Sequence, residues 1–140
     1  MKKVKTRQLV ETDIKLFGEW LYLNRELNRF DPDIFTYGST RVIAVAEDDD
    51  PVMFVPYQIV ILMESVAPNP RASPMKRALA LKQFQAYLID LAVASGIGEI
   101  YFVATDKDME SIAKRHGYEE VEGTLLRLKP HNINPRKLRK

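Results

Sequence analysis

Apolar residues along this chain recur at two spacings, one suited to strands and one to helices. Residues 4–10 read as a strand. Thr12-Asp13 then caps a helix whose apolar positions Ile14, Phe17 and Leu21 repeat at helical spacing, widened by Leu16, Trp20 and Leu23. Asp31-Pro32-Asp33 stops that helix, because proline disfavours helical geometry at the residue before it. Two β-rich runs, 41–46 and 52–55, flank the acidic residues 47–50 and predict a hairpin ending at Pro56. Residues 57–66 are the most apolar stretch, as expected of a central strand covered on both faces. Ser73 as cap and Pro74 at the first helical position open the longest helix, predicted over 75–95 and stopped by Gly96. Its apolar face is Ala78, Leu81, Phe84, Leu88, Leu91 and Ala92. A strand over 100–104, a helix over 106–116 ended by Gly117, and a hairpin of 118–121 with 124–128 complete the pattern.

Long strand, helix, strand in the middle of the chain implies one parallel crossover inside a mixed central sheet, an α/β (α+β) fold. With 140 residues there is room for one core, expected over 1–129, followed by a basic tail over 130–140. A composition 46% hydrophobic and 29% charged, with a net charge of +2, fits a globular protein and excludes a strongly basic nucleic-acid binder. The tail carries Arg136, Lys137, Arg139 and Lys140 but no aromatic residue for bases to stack on, so it reads as a solvated segment and argues against nucleic acid. Zero cysteines close off disulfides, thiolate metal sites and a cysteine nucleophile. The polar start of the chain and the lack of a long apolar run predict no membrane partner and a cytoplasmic location.

The sequence lacks a nucleophile elbow, a phosphate-binding glycine loop, a dinucleotide fingerprint and a zinc-binding His-Glu-x-x-His. His116 and His131 are far apart, so no metal centre is expected. The acids at 47–50 read as a hairpin tip, since adjacent side chains on a turn point apart. More informative is the junction from Val66 to Arg77, which leads the apolar run into the longest helix. Free N–H groups and the positive end of the helix dipole favour an anion there. Arg71, Lys76 and Arg77 add full charges where cations would otherwise be mildly unfavourable.

These residues resemble the GNAT superfamily of N-acetyltransferases. Val66-Ala67-Pro68 is similar to that family's Val-x-Pro at the end of its central strand. A long helix closing near a glycine follows, then Gly96-Ile97-Gly98-Glu99-Ile100-Tyr101-Phe102-Val103. The ending Ile112-Ala113-Lys114-Arg115-His116-Gly117-Tyr118 is similar to the family's helix and Gly-aromatic pair, and the likeness runs in order over residues 4–129. It implies acetyl-CoA as co-substrate and direct transfer of the acetyl group to an amine, on a small molecule or a protein. It further implies that the backbone of Val66 and Ala67 pairs with the pantetheine arm. The N–H groups from Ser73 to Arg77 would meet pyrophosphate, with Arg71 and Lys76 in phosphate contact. Glu64, two residues before Val66 and so on the same strand face, is the candidate general base. Acidic and aromatic residues of the loop after the first helix, Glu26, Asp31 and Tyr37 with Tyr22, Asp33 and Phe35, are candidates for holding the amine.

Three departures temper that picture. The family's Arg/Gln-x-x-Gly-x-Gly/Ala loop is replaced by Arg71-Ala72-Ser73-Pro74-Met75-Lys76-Arg77-Ala78, with no glycine to admit phosphate close to the backbone. Ala113 stands where many members carry a tyrosine that protonates the leaving thiolate, and Asp106 replaces the asparagine opening that helix. Coenzyme A is therefore expected to bind weakly, unusually or not at all. The alternative is a catalytically silent GNAT-like interaction module or phage structural protein, and a homodimer stays open under both readings.

Overall fold

The computed structural model describes residues 3–26, 32–64, 66–132, 134 and 136. The chain forms two compact units, residues 1–103 and 104–140.

The first unit opens with β1 (Val4–Gln8) and α1 (Glu11–Leu23), then continues after a 3-10 turn (Pro32–Thr36) with β2 (Arg41–Glu47) and β3 (Asp50–Tyr57). The three strands form an antiparallel sheet in the order β1-β2-β3. Asp48 and Asp49 join β2 to β3 at φ 47° and 76°. Both are left-handed positions, as a two-residue hairpin loop requires, and aspartate tolerates them better than most side chains. The predicted hairpin therefore forms, but β3 does not end at Pro56. Both Pro51 and Pro56 stand within it, opposite Ala46 and Val42, because β3 is an edge strand and needs no N–H on its open side.

Packing in this unit is aromatic against small. Ala44 is fully buried and Ala46 nearly so. Phe54, paired with Ala44, meets the Phe17 ring at 5.4 Å and the Trp20 ring at 5.0 Å between centroids, and Phe35 closes on Phe17 at 5.7 Å. Alanines on β2 leave room for the rings that α1 and β3 bring in. Of the expected stripe on α1, Ile14 and Leu23 remain exposed. The helix also starts earlier than Thr12-Asp13 predicts. Asp13 is its third residue, accepting the Val10 N–H at 2.8 Å while its own N–H donates to the Val10 carbonyl at 3.0 Å.

Residues 57–66 do not form one long strand. Tyr57 belongs to β3, and only Ile61–Met63 makes β4. Between them the bonds go elsewhere: the Gln58 side chain donates to Glu99, and the Ile59 carbonyl takes the Ser39 hydroxyl at 3.1 Å rather than a neighbouring strand. Leu62 and Val66 are each 45% exposed, so this stretch is not covered on both faces. The crossover is as expected. α2 (Pro74–Ala94) links β4 to β5 (Ile100–Phe102), and the two strands pair in parallel with Leu62 opposite Tyr101. The single mixed sheet is not formed: β1-β2-β3 and β4-β5 are separate sheets, and the protein is an α+β fold with three helices among the described residues.

α2 begins as predicted, with the Ser73 hydroxyl oxygen accepting the Lys76 N–H at 3.2 Å and Pro74 at the first position. It ends on Gly96 at φ 67°, where the Ile97 N–H donates to Ala92 and the Gly96 N–H to Val93. Leu88 and Ala92 are buried, whereas Phe84 and Leu91 of the expected apolar face stay exposed.

The second unit holds α3 (Lys107–Arg115), capped by the Asp106 carboxylate accepting the Met109 N–H at 2.8 Å and ended at Gly117, φ 93°. The closing hairpin is not formed, and residues 118–129 carry no strand. Gly123 does turn the chain at φ 110°, but Leu125, Leu126 and Leu128 are exposed. Leu125-Leu126 breaks the alternation that would fix which side of a strand faces inward.

Candidate functional site

Glu64 stands exposed one residue beyond β4, and Val66 and Ala67 follow it, also exposed. The chain then turns at Asn69. Its side-chain oxygen accepts the Arg71 N–H at 2.9 Å and its carbonyl accepts the Ala72 N–H at 3.1 Å. Arg77 locks that turn from the first turn of α2, its guanidinium donating to the Asn69 carbonyl at 3.1 Å and to the Pro70 carbonyl at 3.0 Å. Sequence reasoning grouped Arg77 with the phosphate ligands; its donors here serve the loop.

The helix start also offers fewer N–H groups than its sequence suggests. Pro74 has none, the Lys76 N–H goes to the Ser73 hydroxyl, and the Arg77 N–H goes to the Ser73 carbonyl at 3.1 Å. Met75 is left as the first-turn donor without a bond among the described residues. Arg71 and Lys76 are exposed, and neither side chain has an acceptor among the described residues. The arrangement suits one phosphate group held by side-chain charge and a single N–H, not a pyrophosphate wrapped in backbone.

The amine-holding candidates are dispersed. The Glu26 carboxylate is solvated, 4.0 Å from its neighbour Arg25, whose guanidinium lies 4.2 Å above the Tyr22 ring. Asp31 lies outside the described residues, as does most of the basic tail. Tyr37 is half-buried in a different group, its ring lying against Gly98.

That group was not visible to sequence reasoning. Glu99 stands just ahead of β5, and its Oε2 accepts the Tyr101 hydroxyl at 2.5 Å and the Gln58 amide at 2.9 Å. The bond to Glu99, then burial, then the charge of Glu99 push the Tyr101 phenol up to about 12. A carboxylate can only accept, so Gln58 must turn its nitrogen toward Glu99. Its own Oε1 is then buried with no partner among the described residues, at a cost of about 1–3 kcal/mol. The one available signal was the alternate spacing of Glu99, one residue ahead of the strand predicted over 100–104, with Tyr101 within it.

In the second unit Ala113 is half-buried on α3, and its carbonyl accepts the His116 and Tyr118 N–H groups. Among the described residues no group of three or more His, Asp or Glu side chains could hold a metal ion, and no helix is long and apolar enough to cross a membrane. No protein-family model matches this chain, and no curated protein matches it.

Proposed function

We propose that this chain is a divergent acyltransferase of the GNAT type, moving an acetyl group from a coenzyme A thioester to an amine in one step. The reading is carried by the β4-α2-β5 crossover. β4 ends one residue before Glu64, Arg71 stands in the loop that follows, and α2 presents Lys76 and the Met75 N–H at its start. Ligands of α/β folds commonly lie beyond the carboxyl ends of parallel strands.

The thioester supplies the activated carbonyl, and the remaining tasks fall to this chain. Arg71 and Lys76 hold a phosphate, and the exposed backbone at Val66 and Ala67 lies along the thiol-bearing arm. Glu64 takes a proton from the ammonium, directly or through water, freeing the nitrogen lone pair. The C–N bond forms as the C–S bond breaks, and the thiolate takes a proton from solvent, because no phenol occupies position 113.

The experiment is steady-state thiol release with acetyl-CoA and a panel of amines, comparing the parent with Glu64→Gln. Turnover that falls about a hundredfold in the variant supports the reading, and fast turnover indifferent to Glu64 overturns the assignment. The rival, a silent interaction module, is favoured by the scarcity of N–H groups at the α2 start. It predicts no turnover with any amine.

A further inference from the structure

α2 carries more apolar surface than one buried side. Leu81, Gln85, Leu88 and Ala92, spaced four, three and four residues apart, form the side that is buried or half-buried. About a third of a turn away, Ala80, Phe84, Tyr87, Leu91 and Ala94 repeat at intervals of four, three, four and three, which sets them on a single stripe. Every one of them is exposed, Phe84 at 43%, Tyr87 at 58% and Leu91 at 40%. No charge interrupts the stripe. The Phe84 and Tyr87 rings lie 6.1 Å apart and within 23° of parallel, so they make a flat apolar plate at its centre. A second exposed row on α2, Met75, Leu79, Ala86, Ile89 and Val93, is different, because Lys82 stands within it and resists desolvation.

We infer that the stripe pairs with the same stripe of a second copy of this chain, the two helices antiparallel and the dyad passing beside Tyr87. The inference stands apart from the acyltransferase reading. Laid in reverse on itself, the stripe sets Ala80 against Ala94, Phe84 against Leu91 and Tyr87 against its own copy, so no large side chain is left facing an alanine. Direction follows from charge. Arg71, Lys76 and Arg77 gather about the start of α2, whose first turn carries no acid. A parallel pair would bring both sets of cations together, while an antiparallel pair holds them about 30 Å apart and opposes the helix dipoles. The same arrangement sets the exposed Gln83 amide opposite the Asp90 carboxylate of the second copy, twice by symmetry.

Area points the same way. At roughly 200 Å² for each aromatic side chain and less for leucine, the exposed parts of Phe84, Tyr87 and Leu91 amount to roughly 250–300 Å² on each copy. Both copies then remove roughly 550 Å² through these side chains alone, close to half of the roughly 1,200 Å² at which stable pairs begin. Ala80, Ala94, Gln83 and Asp90 lie along the same length of helix and add to it. A contact of that size associates at micromolar concentration.

Sedimentation equilibrium of the full chain, from micromolar to several hundred micromolar, should show the mass rising from 16.1 kDa toward twice that value. Tyr87→Glu sets two carboxylates face to face at the dyad and raises the dissociation constant about tenfold or more, while far-ultraviolet circular dichroism stays unchanged. Because the chain has no cysteine, single cysteines read the geometry whatever the glutamate does to folding. Tyr87→Cys meets its own copy and forms a disulfide-linked dimer on air oxidation. Ala80→Cys does not, since its two copies lie about 21 Å apart at 1.5 Å per residue and a disulfide needs Cα atoms within about 7 Å. A mixture of Ala80→Cys and Ala94→Cys does. A parent that stays monomeric throughout overturns the inference, and if Tyr87→Glu then lowers its Tm, the stripe is covered within one chain. A dimer that Tyr87→Glu leaves intact, or Ala80→Cys cross-linking as readily as Tyr87→Cys, overturns it as well.

Discussion

The Tyr37 ring occupies the space where any side chain at position 98 would begin. A β-carbon built on Gly98 falls 2.2–2.3 Å from three atoms of the ring, while Gly38 and Gly96 approach each other backbone to backbone and the Ser39 N–H donates to the Gly96 carbonyl at 3.0 Å. The segment ahead of β2 is therefore seated on the turn between α2 and β5. Gly98 needs no special φ, so its role is the absence of a side chain.

Gly98→Ala is accordingly expected to destabilise the protein by about 1–3 kcal/mol, because the ring must leave its place or the turn must open. Thermal unfolding followed by circular dichroism measures this as a fall in Tm of several degrees. Tyr37→Ala alone loses the ring contact, and the double variant should be more stable than the sum of the two single losses predicts. Simple additivity would show that the two residues are not in competition for the same space.

Arg7 grips Asp13 at 2.5 and 3.2 Å while also donating to the Asp49 carbonyl at 3.0 Å, tying β1, the start of α1 and the hairpin tip together. The bond from Arg7, then that from the Val10 N–H, holds the Asp13 carboxyl below its ordinary value of 3.8. A group with a lowered folded-state value contributes stability that is present above its unfolded value and is lost as pH falls through the folded one. Stability should therefore decline below pH 3.8 partly through this residue. Asp13→Asn should lower the urea midpoint at neutral pH and flatten the acid limb. An acid limb equally steep in the variant would place the sensitivity elsewhere.

The Tyr101 phenol, pushed up to about 12 from 10.0, works in the opposite direction. Its contribution is complete below pH 10.0 and is lost as pH rises toward about 12. Spectrophotometric titration should show a tyrosine ionising step toward pH 12. That late step should vanish in Tyr101→Phe and move back toward 10.0 in Glu99→Gln, since the bond to Glu99 is the largest cause of the shift.

What sequence could reveal follows the range of the interactions. The Ser73-Pro74 start and the Gly96 and Gly117 stops are written in neighbouring residues and form as read, while the acidic tip expected over 47–50 narrows to a two-residue turn at Asp48-Asp49. The parallel pairing of β4 with β5 also follows from the order of elements. The length of β4 was illegible because an apolar run does not say where a ladder stops. Tyr57 ends one sheet and Ile61 begins another, and Ile59 between them is bound by Ser39 from 20 residues away. The site residues divide in the same way. Glu64 and the cations near Ser73 are close in sequence, whereas Gln58 reaches Glu99 across 41 residues and depends on a fold that no local pattern encodes.

The cations at the start of α2 should separate by role. Arg71 and Lys76 are exposed and have no acceptor among the described residues, so each adds attraction for a phosphate without supporting the loop. On the proposed acyltransferase reading, replacing either by glutamine should weaken coenzyme A binding about two- to fivefold at low salt, the range of exposed charge contacts. The difference should shrink as added salt shortens the screening length. Arg77 is a different case, because its guanidinium holds the Asn69 and Pro70 carbonyls. Arg77→Gln should reduce affinity by loosening the turn that positions Arg71, and that loss should persist at high salt, since the geometry, not the charge, has been damaged. Isothermal titration of the parent and the three variants at two salt concentrations makes the comparison. Identical salt dependence for all three variants would mean that Arg77 acts as one more surface charge and that the turn does not depend on it.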